Sequence, residues 1–494
     1  MSAVPEIRVG TRNKVPVDAA GDYVLYWMIA ARRTTWNFGL ERAIGWAREL
    51  RKPLLVFEGL RADAHWASDR LHRFVLDGMA DNARRLERAG VRYFPYVEPE
   101  RGAAKGLLEA LAARACVVVT DEFPCFFLPR MVEAAAGKLR ARLETVDSNG
   151  LLPLAAAPKE FPSAYAFRRF LQKNLRGHLD AFPQADPLRG VRLSGEIVLP
   201  REFASRWPRA SEVLLRGDTA ALARLPIDHT VPPVAVPGGS AAADRTLRRF
   251  LEILPRYEAE HSSPEAEVTS GLSPYLHFGH IAAHAVFHAV ALQESWTPTD
   301  LARKATGKRE GWWGMSASAE AFLDELVTWR ELGYIFCARR PDYESYESLP
   351  DWARGTLDAH ESDRRDPVYE LDAFESAATH DPLWNAAQNQ LLREGRIHNY
   401  LRMLWGKKIL EWSRNPRRAL EILIELNNKW ALDGRNPNSY SGVGWVLGRF
   451  DRPWGPERPI FGTVRYMSSD NTARKFRVKE YIRRYSEPEL GPGA

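Results

Sequence analysis

The chain has 494 residues, with 69 Lys plus Arg against 63 Asp plus Glu, a net charge of +6. At roughly 150 residues per domain this length allows two or three domains with sizeable cores, and 45% hydrophobic with 27% charged residues excludes a disordered chain. The three cysteines, Cys116, Cys125 and Cys337, show no CxxC spacing, which excludes a disulfide scaffold and an all-cysteine four-ligand metal or iron–sulfur site. No signal-type apolar core occupies Met1 to Asp18, and no run approaches the roughly 20 apolar residues of a membrane span. A soluble, unsecreted, cytoplasmic protein is expected. The compositional outlier is tryptophan, with 16 residues.

Residues 22–150 alternate short apolar runs with helical stretches. The predicted strands are Tyr23–Ile29, Pro53–Glu58, Val91–Val97, Cys116–Thr120 and Leu143–Val146, with helices such as Gly39–Leu50 and Ala67–Ala89 between them. That pattern implies a doubly wound, largely parallel α/β domain. No GxGxxG or P-loop spacing supports a dinucleotide or nucleotide site there. From 185 to 240, Pro183, Pro187, Pro200, Pro208, Pro226, Pro232, Pro233 and Pro237 lead to Gly238-Gly239-Ser240, the composition of a long interdomain connection. Residues 241–494 read as mostly helical.

Within the helical part, Thr269-Ser270-Gly271-Leu272-Ser273-Pro274 sets three hydroxyls and a glycine before an apolar segment. Hydroxyls and free amides at a helix start hold phosphate; the plainer reading is capping, which uses the same groups. Glu325 and Trp329 lie four apart in 322–334 and share a helix face, where a carboxylate beside an indole suits a base stacked on the ring; a solvated Glu or one paired with Arg330 is the alternative. Asp381 before Pro382 marks a helix start and Gly395 its stop. The next helix, 396–413, ends before Asn415-Pro416 and carries Trp405 and Trp412 seven residues apart, about 10 Å along the axis. Trp384 on the preceding helix is placed to join them. Indoles in series relay electrons, although apolar i,i+7 positions are ordinarily core. Arg402 and Asp433 are candidates for a buried pair. His277, His280 and His284 lack cysteine or carboxylate partners at a zinc spacing, so no metal site is expected, and no G-x-S-x-G elbow is present.

Charge is distributed unevenly. Residues 394–485 hold 19 Lys or Arg and 9 Asp or Glu, a surplus of 10, so the rest of the chain carries about −4. Basic groups interleaved with Trp384, Trp405, Trp412, Trp430, Trp445 and Trp454 offer phosphate contacts and stacking surfaces, or else a solvated basic face over core aromatics.

Together SGLSPYLHFG (270–279), THDPLWNAAQ (379–388), HNYLRMLWGKKILEW (398–412), LDGRNPNSYSGVGW (432–445) and VRYMSSDNTARKF (464–476) resemble the photolyase/cryptochrome family, and specifically its class II cyclobutane pyrimidine dimer photolyases. The resemblance implies a Rossmann-like α/β antenna domain (1–184), a linker (185–240) and an all-α FAD-binding catalytic domain (241–494). It implies FAD held by Tyr257, Thr269, Ser270, Gly271, Leu272, Ser273, Arg330, Asn399, Arg402, Asn427, Asp433 and Arg435, with Arg402 paired to Asp433 and Asn427 facing the flavin. Glu325, Trp329, Met403 and Trp445 match the lesion pocket, Glu325 as the group that hydrogen-bonds and polarises the dimer. Trp405, Trp384 and Trp412 match the relay that photoreduces the flavin. The implied activity is that of a carbon–carbon lyase: light-driven repair of pyrimidine dimers, flipped out of damaged DNA, by an electron from reduced FAD. A monomer and an antenna chromophore of unspecified identity are implied as well. The second reading is a cryptochrome-like blue-light photoreceptor, and the third a basic DNA-binding protein without catalysis. Two stretches depart from the class II pattern: FGHIAAHA (278–285) puts His280 and Ala285 where Gln and Arg are usual, and Met28-Ile29-Ala30-Ala31-Arg32-Arg33 replaces the usual continuation of the first strand.

Overall fold

The computed structural model describes residues 4–486. It divides into two compact units. The first runs through Pro158 and takes in Asn174–Arg248 and Gly271–Gln293; the second comprises Lys159–Lys173, Arg249–Ser270 and the chain from Glu294 onward.

The first unit is built on a six-stranded sheet: β1 (Val9–Thr11), β2 (Tyr23–Met28), β3 (Leu54–Leu60), β4 (Arg92–Val97), β5 (Ala115–Asp121) and β6 (Arg142–Val146). Their spatial order is β1-β6-β5-β2-β3-β4. All neighbours are parallel except β1, which pairs antiparallel with β6. Every residue of β2 and β5 is buried, because helices cover both faces and the side chains alternate between them. Tyr23, Leu25 and Trp27 pack with Leu107, Leu111 and Val132 on one face. Val24, Tyr26 and Met28 pack with Phe38, Ala43 and Ile44 of α1 (Phe38–Glu49) and with Leu86 of α2 (Asp69–Arg88) on the other. The five predicted strands are all present. β1 was missed because three residues at a sheet edge carry no periodicity.

The strand order reverses between β2 and β5, the position where open α/β sheets leave a crevice at the carboxyl ends. Here Asp121 closes it: Oδ2 accepts the backbone N–H groups of Ile29, Ala30 and Ala31 at 2.9, 2.8 and 2.9 Å, and Oδ1 accepts the Tyr26 hydroxyl at 2.6 Å. The same loop receives the end of the 270–279 string. Gly279 sits at φ +72°, and a Cβ there would fall 1.8 Å from the Ala30 carbonyl oxygen, so only glycine fits.

The expected boundaries do not coincide with these units. Residues 185–240 are packed into the first unit: Leu214, Leu215, Leu222 and Ile227 are buried with Val75, Leu76 and Met79, and the Trp207 indole donates to the Ala103 carbonyl at 3.0 Å. Apolar side chains between the prolines supply that anchorage, which a count of prolines overlooks. His280 also belongs here. Its ring stacks on Phe74 at 5.2 Å, Nδ1 accepts the Gly239 N–H at 2.9 Å, and burial pushes its pKa down to about 3. A Cβ on Gly78 would stand 2.3 Å from its Nε2. His280 is thus a packed, neutral side chain of the α/β unit.

In the second unit the helices that matter below are α3 (Ala164–Asn174), α4 (Ala317–Leu323), α5 (Arg330–Arg339), α6 (Pro382–Glu394), α7 (Asn399–Trp412), α8 (Pro416–Trp430), α9 (Pro437–Val446) and α10 (Lys479–Tyr485). The α6 start is as read from the sequence: Asp381 accepts the N–H groups of Leu383 and Trp384 at 3.0 Å each, and Gly395 ends the helix at φ +68°. The core is formed largely by α6, α7 and α8 through Leu383, Leu391, Leu404, Ile409, Leu423 and Leu426. α9 packs against α5, α7 and α8. No helix among the described residues is long and apolar enough to cross a membrane.

Asp121→Ala leaves three buried amides and a phenol without their acceptor, so a loss of about 3 kcal/mol or more of stability is expected, measured by denaturant unfolding. A loss below about 1 kcal/mol would show that the crevice does not depend on this carboxylate.

Candidate functional site

The helical unit departs from regular geometry between α4 and α5. Ser316 caps α4 by accepting the Ala319 N–H at 3.3 Å, and the helix then widens into a π-turn over Asp324–Trp329 before resuming. Such turns recur at functional sites because the extra residue re-aims neighbouring side chains. Asp324 opens the turn. Its buried carboxylate is held bidentately by Arg168 of α3, at 2.7 and 2.8 Å, with Arg309 at 3.5 Å. Glu325, the next residue, is half-buried. Burial first, and the Asp324 carboxylate second, raise its pKa to about 7, against the opposing pull of Arg309 and Arg168. Near neutral pH a large fraction of Glu325 is protonated and able to donate a hydrogen bond.

Further expected residues lie around the turn. Trp329 is partly exposed, and its carbonyl accepts from Asn438 at 3.5 Å. Arg330 is buried, its guanidinium 4.3 Å from the Tyr334 ring. Tyr257 packs edge-on against Phe250 and Phe322 at 5.8 and 5.6 Å, and burial together with the nearby Glu325 carboxylate raises its hydroxyl pKa. α5 lies so close to α9 that a Cβ on Gly333 would meet Ser441 Oγ at 2.8 Å.

A second group of the expected residues lies on α7 and the turn that follows α8. Arg402 and Asp433 pair through two contacts of 3.1 and 3.4 Å, as the resemblance implies, although both keep a solvent-facing edge. Asn399 is exposed at the first residue of α7, while Asn427 is buried near the end of α8 and donates to Asn428 Oδ1 at 3.2 Å. A Cβ on Gly434 would come within 2.6 Å of the Asn427 carbonyl, so the turn folds directly onto α8. Arg435 takes a left-handed φ of +59° there. Its guanidinium donates to the carbonyls of Asn428, Ala431 and Leu432. The expectation that Arg435 lies among the cofactor contacts therefore meets a side chain that caps the C-terminal carbonyls of α8. Met403 and Trp445 are partly buried. Of the hydroxyl string, Thr269 and Ser270 fall in the helical unit, half-buried; Gly271, at φ +65°, Leu272 and Ser273 fall in the other unit.

The three tryptophans form a continuous row. Trp384 from α6 sits between the two indoles of α7, parallel to Trp405 within 5° at a centroid distance of 6.5 Å, and edge-on to Trp412 at 6.1 Å. All three are buried. Trp384 Nε1 donates to the Trp405 carbonyl at 3.0 Å and Trp405 Nε1 to Gln388 at 2.9 Å.

Several groups escaped the sequence reading. Gln388, Arg168 and Asp324 act through partners distant in the chain. His398, the residue before α7, is buried with neither ring nitrogen in a hydrogen bond; burial, with Arg396, pushes its pKa down to about 4. It lines a cavity of ≈ 80 Å³ together with Thr269, Gln390, Arg396 and Tyr481. The basic surplus of 394–485 is also smaller than its sum. Arg414 and Arg418 pair with Glu370, Arg417 with Glu347, Lys429 with Glu375, Arg449 with Glu160 and Arg484 with Glu267.

No protein-family model matches the chain. Curated relatives do. It is 36% identical to the deoxyribodipyrimidine photo-lyase of Methanothermobacter thermautotrophicus, over 97% of each chain. It is 34% identical to that of Oryza sativa over 94% of this chain and 87% of the relative, and 31% identical to that of Potorous tridactylus over 94% and 81%. Among solved structures it resembles a bacterial class III photolyase from Agrobacterium tumefaciens, with a TM-score of 0.69 at 18% identity over 94% of this chain and 86% of that one. A Synechocystis cryptochrome matches with a TM-score of 0.64 at 14% identity over 94% and 88%.

The Glu325 environment fixes a sign. Its raised pKa destabilises the fold once the unfolded-state carboxyl ionises, so the penalty is absent below pH 4.5, grows to pH 7 and is complete above it. Glu325→Gln is expected to be the more stable protein by about 2 kcal/mol at pH 8, with the gap closing as pH falls from 7 to 4.5. Thermal unfolding across that range checks it; a constant difference would mean an ordinary carboxylate.

Proposed function

The chain belongs to the deoxyribodipyrimidine photo-lyases of the photolyase/cryptochrome family, and on that premise we propose that it repairs cyclobutane pyrimidine dimers in DNA under light, as a class II enzyme. The observation that carries the proposal is the π-turn, which presents a protonatable Glu325 beside Trp329 in a unit that also holds a row of three buried indoles. FAD, when bound in its reduced form, supplies light-driven one-electron donation and recovery.

The residues present fit such a group. Hydroxyls of Thr269 and Ser270, half-buried, suit phosphate, the Arg402–Asp433 pair keeps an accessible edge, Asn427 offers a buried amide able both to donate and to accept, and the His398 imidazole faces the cavity that Thr269 lines. In this reading Tyr257, Thr269, Ser270, Gly271, Leu272, Ser273, Arg330, Asn399, Arg402, Asn427, Asp433 and Arg435 hold the cofactor. Arg435 contributes by shaping the turn rather than by charge.

Trp329, Met403 and Trp445 receive the flipped-out lesion by stacking and apolar contact, and Glu325 donates a hydrogen bond to a pyrimidine carbonyl where negative charge develops. A neutral acid does this at no cost of charge repulsion, which is the use of the raised pKa. Trp405, Trp384 and Trp412 carry electrons inward to reduce the cofactor; burial keeps the rings apart from water and the two indole N–H bonds fix their orientation. Damaged DNA is the partner, met by a monomer in the cytoplasm, and an antenna pigment on the α/β unit completes the proposal.

Illumination of reduced protein with a dimer-containing oligonucleotide is expected to restore the intact pyrimidines; dimers persisting under light would overturn the reading. Trp405→Phe is expected to slow flavin photoreduction sharply while chemically pre-reduced enzyme still repairs. Equal photoreduction rates in the two proteins would remove the relay role.

A further inference from the structure

Lys407 is a buried cation for which neither cofactor holding nor the lesion pocket has a use. It lies in the middle of α7 with no solvent exposure, one residue after Gly406, where a Cβ would stand 2.5 Å from Val446 Cγ2 of α9. The close crossing delivers the ammonium to the end of α9. Nζ donates to the Val446 carbonyl at 2.5 Å and lies 5.0 Å from the centroid of the Trp445 ring. Carbonyls of a last helical turn lack intrahelical partners and carry the negative end of the dipole, so this is a cation site built from backbone.

A second cation meets the same indole. The Arg465 guanidinium is 5.5 Å from the Trp445 ring and 4.1 Å from that of Trp454, which Arg452 approaches at 4.3 Å. Asp451 ties the outer members together: it accepts the Arg452 N–H at 2.9 Å and the Trp454 indole N–H at 3.1 Å, and pairs with Arg465 Nε at 3.3 Å. Cations and indoles therefore alternate from buried Lys407 to exposed Arg452.

Burying an ammonium is costly unless its partners compensate, and an apolar side chain would fill the same space. We propose that Lys407 is a positioning residue for the lesion pocket, its ammonium anchored on the Val446 carbonyl and holding the Trp445 indole in the orientation that receives the flipped base. The inference rests on the assignment of Trp445 to that pocket. Burial pushes the Lys407 pKa down to about 7, with Asp451 opposing and Arg465 assisting; these two are the charged groups that act on it, since Lys408 on the same helix is engaged with Glu411 at 2.7 Å. The hold on the indole is therefore strongest below neutral pH and fades above it.

The test places wild type, Lys407→Met and Trp445→Ala, all flavin-loaded, in a common Glu325→Gln background that removes the other group titrating near pH 7, and compares their affinity for an oligonucleotide with one dimer and for its undamaged twin, from pH 6 to 8.5 at constant salt. The methionine has similar length and no charge. At pH 6 Lys407→Met is expected to bind the dimer about tenfold more weakly, the scale of a desolvated cation–π contact, with undamaged DNA bound as in wild type. The wild-type advantage should vanish above pH 7 and the methionine variant should show no such transition. Wild-type affinity in Lys407→Met at pH 6, or parallel pH profiles, overturns the role of Lys407. If Trp445→Ala binds dimers normally, the pocket assignment falls, and the proposal with it; if that variant fails while Lys407→Met does not, only the lysine's role falls. Should Lys407→Met lose its flavin, the wild-type profile decides: a dimer-specific weakening through pH 7 that is absent in Trp445→Ala upholds the proposal, and a flat one rejects it.

Discussion

One ion pair, Arg168 with Asp324, ties the π-turn of the helical unit to a second helix. A buried carboxylate in the middle of a helix must find a cation, and the cation is on another helix. Turning Asp324 toward Arg168 is accommodated by widening a helical turn by one residue. Glu325, Trp329 and Arg330 take their directions from that widened turn, and the raised pKa of Glu325 comes first from its burial and second from the neighbouring Asp324 carboxylate. A structural bond thereby stands one residue from the group that would meet the lesion.

Much of this was legible in the sequence where the signal is local. The strands of the α/β unit follow from alternation of side chains over buried faces, and α6 from its Asp-Pro start and Gly stop. The Arg402–Asp433 pair and the joining of Trp384 to Trp405 and Trp412 were offered as possibilities by residue type and spacing, and became expectations only through the resemblance. What could not be read is long-range. Nothing near residue 324 announces a partner at 168, so a regular helix was expected there. Prolines between 185 and 240 suggested a free connection because the leucines that bury it are spaced irregularly. Arg435 looked like a ligand contact, but a left-handed turn curls it back onto carbonyls.

Charge shows the same division between what is counted and what is paired. The excess of basic residues in 394–485 is real, yet six of them are matched by acids from earlier in the unit, at Glu160, Glu267, Glu347, Glu370 and Glu375. Net charge describes the far field that draws a polyanion; the pairings decide which side chains are engaged within the fold. The cation–indole row from Lys407 to Arg452 is where positive charge and aromatic surface coincide.

α7 resembles a camshaft. In the proposed reading Asn399 and Arg402 serve the cofactor, Met403 the substrate, Trp405 and Trp412 electron entry, and Lys407 the pocket wall. The close crossing at Gly406 fixes its height and rotation. A change that shifts this one helix moves all of its lobes together, so substitutions along it should depart from additivity even where their side chains never touch.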